Sequence, residues 1–290
     1  MITLCLFVKL VLCKSEKTKI LINNYLRNEN CIQEKDVKNK MNNNEWNGEI
    51  WKGVYKTFAD ACGDEDVFEG NVWLEKQITQ VNNFLEQMKI PGTISQAALT
   101  SEYALPIVAA TMVQSNCTIR ILDFGGGIAT SFLPLIALLP EDQSLEFVVV
   151  ENETICKVGN KLFKEEKRLK FSTTIPVDNK FDIIHAGSSF HYVDDWIALL
   201  NLFARIRPHY LIFADLPAGD IDTFVTIQNY YGRKIPVRFW NIKEFIVRVE
   251  KLGFKLLMKS RYHSEYLNYM KNFDQDHRLN YFSQLIFKSF

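Results

Sequence analysis

Short apolar runs separated by amphipathic stretches make up the chain from Thr118 onward. The runs are apolar on both faces and rich in Val, Ile, Leu and Phe, as in parallel strands that helices cover on both sides. The amphipathic stretches between the runs predict those helices. The pattern therefore predicts an α/β fold built on a parallel sheet. The expected strands are Thr118–Phe124, Leu145–Val150, Leu169–Thr173, Phe181–Ala186 and Tyr210–Ala214.

The hydrophobic pattern changes in kind towards the C-terminal end. A helix is predicted over Asn241–Leu252, because Asn241 can cap its first turn and Glu244 stands three residues further on. Two apolar runs, Phe254–Arg261 and Tyr281–Phe290, then follow without a helical pattern between them. Two consecutive strands after a parallel sheet predict an antiparallel edge.

Two helices are predicted ahead of the first strand. Val72–Met88 has apolar residues at helical spacing along one stripe. A second helix is expected from Ser95 or Thr100 to about Gln114. Because Pro106 lies inside this second helix, we expect a kink or a late start.

The chain divides into three predicted parts. Residues 1–45 are expected to form a flexible or weakly structured extension, residues 46–116 an N-terminal helical cap and residues 117–290 the α/β domain. The apolar start Met1–Cys13 is shorter than the roughly 20 residues that a membrane-spanning helix needs, so we expect no integral membrane segment. Lys-rich residues follow this start, which leaves weak association with a membrane surface as an alternative.

Charge and cysteine content narrow the class of protein. The chain has 34 Lys and Arg against 34 Asp and Glu, so its formal charge is zero. Nucleic-acid binding through a general basic excess is therefore not expected. The 6 cysteines are scattered, without metal-ligand or disulfide-scaffold spacing. This favours a reducing compartment and a cytoplasmic location, and we expect no metal site.

The strongest chemical signal is a glycine-rich turn directly after the first predicted strand. It reads Asp123-Phe124-Gly125-Gly126-Gly127, and glycines there let a ligand approach the backbone closely, ahead of the positive end of the next helix. A dinucleotide fingerprint requires a small third residue, where this chain has Thr130. S-adenosylmethionine (SAM) carries an ammonium group instead of a pyrophosphate, and an acidic residue such as Asp123 suits it. The turn therefore favours SAM over a dinucleotide.

A second acidic residue, Glu151, ends the next predicted strand. A carboxylate in that position can accept hydrogen bonds from the ribose hydroxyls of an adenosine group. NAD and SAM share this ribose, so Glu151 indicates an adenosine cofactor without choosing between the two. The predicted cofactor contacts at this edge are Asp123, Gly125, Gly126, Gly127 and Glu151.

These residues resemble those of a class I SAM-dependent methyltransferase, with the likeness extending over residues 117–290. A narrower similarity is to a family of bacterial methyltransferases that are associated with surface-polysaccharide gene clusters. The resemblance implies a Rossmann-like seven-stranded sheet with a reversed last strand, and SAM across the carboxyl ends of the first two strands. The segments that carry the narrower similarity are Trp51–Tyr55, Leu122–Gly127, Val149–Glu151 and Phe224–Gln228.

The resemblance also implies roles for residues after the later strands. Backbone groups of Gly187 and Ser188 would lie near the methionine part of SAM. Thr173 stands where many such enzymes have an Asp for the adenine amino group, so a hydroxyl or a backbone group would hold the adenine here. His191 is the candidate general base for a hydroxyl or amine acceptor, because a histidine pKa near 6.5 suits neutral pH.

The acceptor and two other functions stay open. The insert Pro217–Phe239 carries aromatic, amide and cationic residues that can hold a sugar or an anionic group, so the expected acceptor is a small molecule or a glycan. One alternative is an NAD-linked oxidoreductase or epimerase, although Tyr55 and Tyr192 lack the Tyr-x-x-x-Lys spacing that such enzymes usually have. The other alternative is a non-catalytic SAM-binding domain.

Overall fold

A computed structural model of the protein describes residues 50–64, 71–88, 103–113, 117–140, 143–230 and 232–290. The predicted extension at residues 1–45 lies outside these ranges. The strands are β1 (Trp51–Tyr55), β2 (Ile119–Phe124), β3 (Leu145–Val150), β4 (Leu169–Ser172), β5 (Ile183–Gly187), β6 (Tyr210–Leu216), β7 (Ala218–Gly219), β8 (Phe224–Tyr230), β9 (Arg233–Asn241), β10 (Phe254–Tyr262) and β11 (Phe282–Ser289). The α-helices are α1 (Phe58–Ala61), α2 (Asn71–Met88), α3 (Ala104–Thr111), α4 (Phe132–Leu138), α5 (Glu153–Leu162), α6 (Trp196–Ile206) and α7 (Ile242–Glu250). Three 3₁₀ helices cover Phe190–Tyr192, Glu265–Asn272 and Gln275–His277.

The larger sheet has seven strands in the order β10-β11-β6-β5-β2-β3-β4. Strands β2 to β6 run parallel to one another, and β11 runs antiparallel to both β6 and β10. All seven strands were predicted, within two residues of these bounds. The structure therefore confirms the α/β fold class and the Rossmann-like seven-stranded sheet with a reversed last strand. Because β11 is inserted between β6 and β10, the antiparallel strand is internal and does not form the edge.

Helices cover both faces of this sheet, as the apolar runs predicted. On β2, Ile121 belongs to the core that the sheet shares with α2, α3, α4 and α5. Its neighbour Leu122 belongs to the opposite core, which α6 and α7 complete. Burial on both faces explains why these strands are continuous hydrophobic runs instead of alternating ones.

Two helix starts follow the sequence closely. The side chain of Asn241 accepts hydrogen bonds from the N–H groups of Lys243 and Glu244, at 3.0 and 3.2 Å, so the predicted cap of α7 is confirmed. The helix around Pro106 starts late, at Ala104, as one of the two expected outcomes. Pro106 then lies in the first turn, where its missing N–H costs no helical hydrogen bond.

A second, four-stranded sheet was not predicted; its order is β1-β8-β9-β7. Most of the insert Pro217–Phe239 forms its strands, and β1 comes from the region predicted as a helical cap. Trp51 of β1 is 2% exposed, pairs with Gln228 of β8, and donates its indole N–H to the carbonyl of Tyr266 at 3.1 Å. A five-residue strand whose partner lies far along the chain leaves no periodic signal to read.

Two features are absent from the part of the chain that the structure describes. No helix in those ranges combines the length and the apolar character needed to cross a membrane. No group of three or more His, Cys, Asp or Glu side chains in the same ranges is arranged to hold a metal ion.

Candidate functional site

The glycine turn that follows β2 has a backbone that only glycine adopts without strain. Gly125 has a φ of +66°, and a Cβ at this position would lie 2.4 Å from the Cβ of Ser189. The N–H of Gly125 donates to the carbonyl of Val150 at 2.9 Å, which ties the turn to the end of β3. Ser189 donates its hydroxyl to the carbonyl of Phe124 at 2.6 Å. The turn is therefore held between the carboxyl ends of β3 and β5.

Asp123 supports this turn from inside the protein. Its carboxylate is fully buried and accepts a hydrogen bond from the Ser131 hydroxyl at 2.6 Å. Its second oxygen lies 2.8 Å from Nδ1 of His185, which is also buried. A Cβ on Gly126 would lie 2.3 Å from Oδ2 of Asp123, so a glycine there lets the turn close over the carboxylate. The buried carboxylate braces the turn and does not open towards a ligand.

Glu151 connects the turn to the next strand. One carboxylate oxygen accepts from the N–H of Gly127 at 3.1 Å, and the other accepts from the N–H of Asn152 at 3.0 Å. Burial raises the pKa of Glu151, the two backbone hydrogen bonds oppose that rise, and the charge of Asp123 adds to it. Asn152 also caps α5 by accepting from the N–H of Ile155 at 2.9 Å, which fixes the backbone beside Glu151.

Helix α2 covers part of the glycine turn, which the sequence did not reveal. A Cβ on Gly127 would lie 2.4 Å from Oε1 of Gln77 and 3.8 Å from the ring of Trp73. The space beside Gly127 is thus occupied by a flexible side chain that is partly exposed. A ligand at the turn would contact Gln77 or displace its carboxamide by rotation about side-chain bonds.

Left-handed backbone is concentrated along the carboxyl edge of the sheet. After β2 it occurs at Gly125, Gly127 and Ala129, the last with a φ of 63°. It recurs at Ser188 after β5 and at Asp215 near the end of β6, with φ values of 52° and 50°. Such a backbone is unfavourable for residues other than glycine, and it clusters at sites that bind or react. The edge that carries the predicted cofactor contacts therefore also carries the strain.

Ser188 and Asp215 join the ends of β5 and β6. The N–H of Ser188 donates to the carbonyl of Ala214 at 3.0 Å, and its hydroxyl donates to Oδ2 of Asp215 at 2.6 Å. Ser188 is exposed, whereas Asp215 is 7% exposed. A buried carboxylate is thus placed directly behind an accessible hydroxyl.

The 3₁₀ helix after β5 places two further side chains at this edge. Tyr192 donates its hydroxyl to Oε1 of Gln228 at 2.8 Å, which links the large sheet to the small one. Burial raises the pKa of Tyr192 well above its usual value, and the charges of Tyr230 and Asp215 add to the rise. The ring of His191 lies 4.2 Å from that of Tyr192. Burial lowers the pKa of His191 to about 3, so its imidazole is neutral at neutral pH.

The remaining predicted contacts lie on the same edge but differ in access. Gly187 is the last residue of β5. Asp123 of β2 pairs with His185 of β5, so β5 lies directly beside the glycine turn. Thr173 follows β4 and is exposed, two strands away from the turn. A role for His191 as general base stays a prediction, and a buried imidazole of such low pKa is a weak base.

Asp215 is the functional candidate that the sequence analysis missed. It follows the apolar run of the fifth parallel strand, just as Glu151 follows the second. The predicted strand ended at Ala214, so Asp215 stood directly after it in the sequence. The positional signal was therefore in the sequence. Gln77 left no comparable signal, because nothing in a helical stripe shows which loop its polar face will meet.

Several solved structures to which this chain is similar in fold are described as methyltransferases, and one is described as the [4+2]-cyclase SpnF. One from Clostridium acetobutylicum, an S-adenosylmethionine-dependent methyltransferase, is 12% identical, has a TM-score of 0.46, and the match covers 74% of this chain and 98% of that one. A second is the 1,6-didemethyltoxoflavin-N1-methyltransferase of Burkholderia thailandensis with S-adenosylhomocysteine bound: 11% identity, a TM-score of 0.45, and 81% and 94% of the two chains. No protein-family model and no curated protein matches the chain. Because such low values do not carry an activity from one protein to another, we base the function on this chain's own geometry.

Proposed function

We propose that the protein is a SAM-dependent methyltransferase. The observation that carries the proposal is the contact between Glu151 and the N–H of Gly127, at 3.1 Å, at the adjoining ends of β2 and β3. It places a carboxylate that can accept ribose hydroxyls against a backbone that a ligand can approach closely. The closeness of these two groups supports the proposal, because an adenosyl site needs both of them.

Two features support SAM over NAD. Dinucleotide-binding sheets have the strand order 3-2-1-4-5-6 with all strands parallel. Here the order from β4 to β6 agrees, but the antiparallel β11 follows β6. In addition, the third position of the dinucleotide fingerprint is Thr130, which is larger than the residue that close helix–strand packing requires. We therefore place an adenosyl group, without a pyrophosphate, at the turn.

The chain's own residues have a limited task in such a reaction. SAM supplies a methyl group that is already activated by the positive sulfur. The site must then hold an acceptor atom at roughly 3 to 3.5 Å from the methyl carbon, in line, and exclude water. Gly187 and Ser188 lie on the strand next to the turn, so the acceptor would enter above β5 and β6. We propose a small molecule or a glycan as the acceptor, surface-glycan synthesis as the setting and the cytoplasm as the location.

Calorimetric titration with SAM, S-adenosylhomocysteine and NAD tests the cofactor. We expect the first two to bind and NAD not to bind. Glu151→Ala should weaken binding of S-adenosylhomocysteine at least tenfold, or about 1.4 kcal/mol. Glu153→Ala is the matched control, because Glu153 is two residues away, is 72% exposed in its side chain and should leave affinity unchanged. Binding of NAD, or equal affinity in both variants, would refute the proposal.

An assay of methyl transfer distinguishes a methyltransferase from a non-catalytic SAM-binding domain. Tritiated SAM is incubated with the protein and candidate acceptors, and label in the acceptor is counted. Transfer above that of the Glu151→Ala variant supports the enzyme. Tight binding of SAM without transfer to any acceptor supports the non-catalytic alternative.

A further inference from the structure

A group of polar side chains at the ends of β5, β6, β8 and β11 lies beside the proposed adenosyl site. Asp215 accepts from Ser188, and Tyr192 donates to Gln228, at 2.6 and 2.8 Å. Gln228 is 1% exposed and Asp215 is 7% exposed. Ser188 is exposed, so this group, which we call the β5–β6 polar cluster, has one open side. Its position above β5 and β6 is where the proposed acceptor would enter.

Two buried side chains at the cluster carry polar atoms that make no hydrogen bond within the described part of the chain. They are Nδ1 of His191, which is 5% exposed, and both amide atoms of Gln284, which is fully buried. His191 contacts Tyr192 through its ring. Gln284 lies on β11 between Ser283 and Leu285, where the pairing with β6 shifts register opposite the Ala214–Asp215 segment. Burying such groups without partners costs free energy, which a polar ligand would recover.

The chemistry of the cluster selects the class of ligand. It offers a carboxylate, two amides, an imidazole and two phenols, including that of Tyr230, whose charge affects Tyr192. These groups exchange hydrogen bonds with hydroxyls, and the aromatic rings pack on apolar sugar faces. Arg238, a cation of the same region, bonds Asp194 at 3.2 Å and lies over the ring of Phe58. A buried carboxylate disfavours an anionic ligand.

We propose that the β5–β6 polar cluster is a binding subsite for an uncharged polyhydroxyl group, such as a pyranoside, with Asp215, His191 and Gln284 as its hydrogen-bonding residues. This inference rests on the proposed function, because it assigns the acceptor side of that same site. Asp215 accepts a hydroxyl of the ligand and orients it. Gln284 and His191 gain the partners that they lack without it.

Saturation-transfer NMR with the full-length chain tests the subsite. The probes are the methyl α-pyranosides of glucose, galactose and mannose, with glucose 6-phosphate as an anionic counterpart. We expect saturation transfer to at least one neutral pyranoside and weaker transfer to the phosphate. Asp215→Asn and Gln284→Leu should each weaken the pyranoside at least tenfold. The exposed Asp222→Asn is the control and should bind as the unaltered protein does.

Binding of S-adenosylhomocysteine is measured on the same samples. Affinity within about twofold of the unaltered protein shows that the variants are folded, because neither residue contacts the glycine turn. No pyranoside binding, equal binding by Asp215→Asn, or preference for the phosphate would overturn the subsite. Pyranoside binding by a chain that does not bind S-adenosylhomocysteine would instead overturn the proposed methyltransferase while leaving the subsite standing.

Discussion

Two aspartates at the carboxyl edge of the sheet make the same hydrogen bond to a serine but have different surroundings. Asp123 and Asp215 each accept a serine hydroxyl at 2.6 Å, from Ser131 and Ser188 respectively. Asp123 is fully buried, and its other oxygen lies 2.8 Å from the buried His185. Asp215 has a left-handed backbone, and its serine is exposed. Both aspartates are thus buried, but only Asp215 bonds a serine that is exposed.

The difference separates a structural role, for Asp123, from the proposed ligand-binding role of Asp215 at the same edge of the sheet. Around Asp123 the hydrogen bonds hold the glycine turn in shape, so its role is to position Gly126 and its neighbours. Around Asp215 the nearby His191 and Gln284 keep unpaired polar atoms within the described residues. Buried polar atoms without partners are uncommon in folded proteins, and a bound ligand is one way in which they gain partners. Substitutions at both aspartates and at their surroundings test this distinction through stability alone.

The largest effect is expected from Asp123→Asn, with Asp215→Asn as the comparison. Asp123→Asn replaces one of two buried acceptor oxygens, so either Ser131 or His185 loses its partner, and we expect the free energy of unfolding to fall by about 1–3 kcal/mol. Asp215→Asn should change it by less than about 1 kcal/mol, because Asn tolerates the left-handed backbone and still accepts from Ser188. Urea unfolding measures both. Equal losses in the two variants would remove the distinction.

Gln284→Leu should stabilise the protein. It removes a buried amide without partners, and we expect the free energy of unfolding to rise by about 1–3 kcal/mol. Gln143→Leu is the matched control, because the buried Gln143 amide donates to the carbonyls of Cys117 and Ser144 at 2.6 and 3.0 Å and should lose stability instead. A loss in both variants would mean that Gln284 has a structural partner.

The low pKa of His191 predicts sensitivity to acid. Its folded pKa of about 3 lies below the unfolded value of 6.5, so the unfolded chain binds more protons between these values. The neutral His191 therefore contributes to the free energy of unfolding, and this contribution is complete above pH 6.5. It is lost as the pH falls, by ~1.4 kcal/mol at pH 5.5 relative to pH 8. His191→Gln should remove this part of the pH dependence in urea unfolding. An unchanged pH dependence in this variant would contradict the assignment.

The smallest effect concerns the strained backbone on the cofactor side. Ala129 has a φ of 63° and is buried. Ala129→Gly should relieve strain and raise the free energy of unfolding by roughly 0.5–1 kcal/mol, less the small loss of the buried methyl. Thermal unfolding measures the gain. Ala109→Gly, in helix α3, is the contrasting variant, because glycine there should lower stability.

The strands and the glycine turn could be predicted from sequence because their signals are local. A run such as Leu145–Val150 identifies itself within six residues, and the glycines after Asp123 mark the turn. The predicted cap at Asn241 was likewise contained in four consecutive residues. Each of these features depends on neighbours in the chain, which the sequence shows directly.

The small sheet and the polar cluster could not be predicted, because they depend on distant partners. The pairing of Trp51 with Gln228 joins segments from opposite halves of the chain. His191 looked like a base at neutral pH, and only its burial shows how far its pKa falls. Asp215 lacked a known neighbour until the fold placed Ser188 beside it. Contacts of this kind decide which polar residues are enclosed and which remain accessible.

The internal position of β11 has a consequence for synthesis on the ribosome. Residues 282–289 separate β6 from β10, so these two strands cannot pair with their final neighbour until that late segment emerges. During translation the edge of β6 that later pairs with β11 therefore has no hydrogen-bonding partner. Pairing of this edge requires contacts between remote parts of the chain, which form slowly. Completion of the sheet thus depends on the last of its strands in chain order.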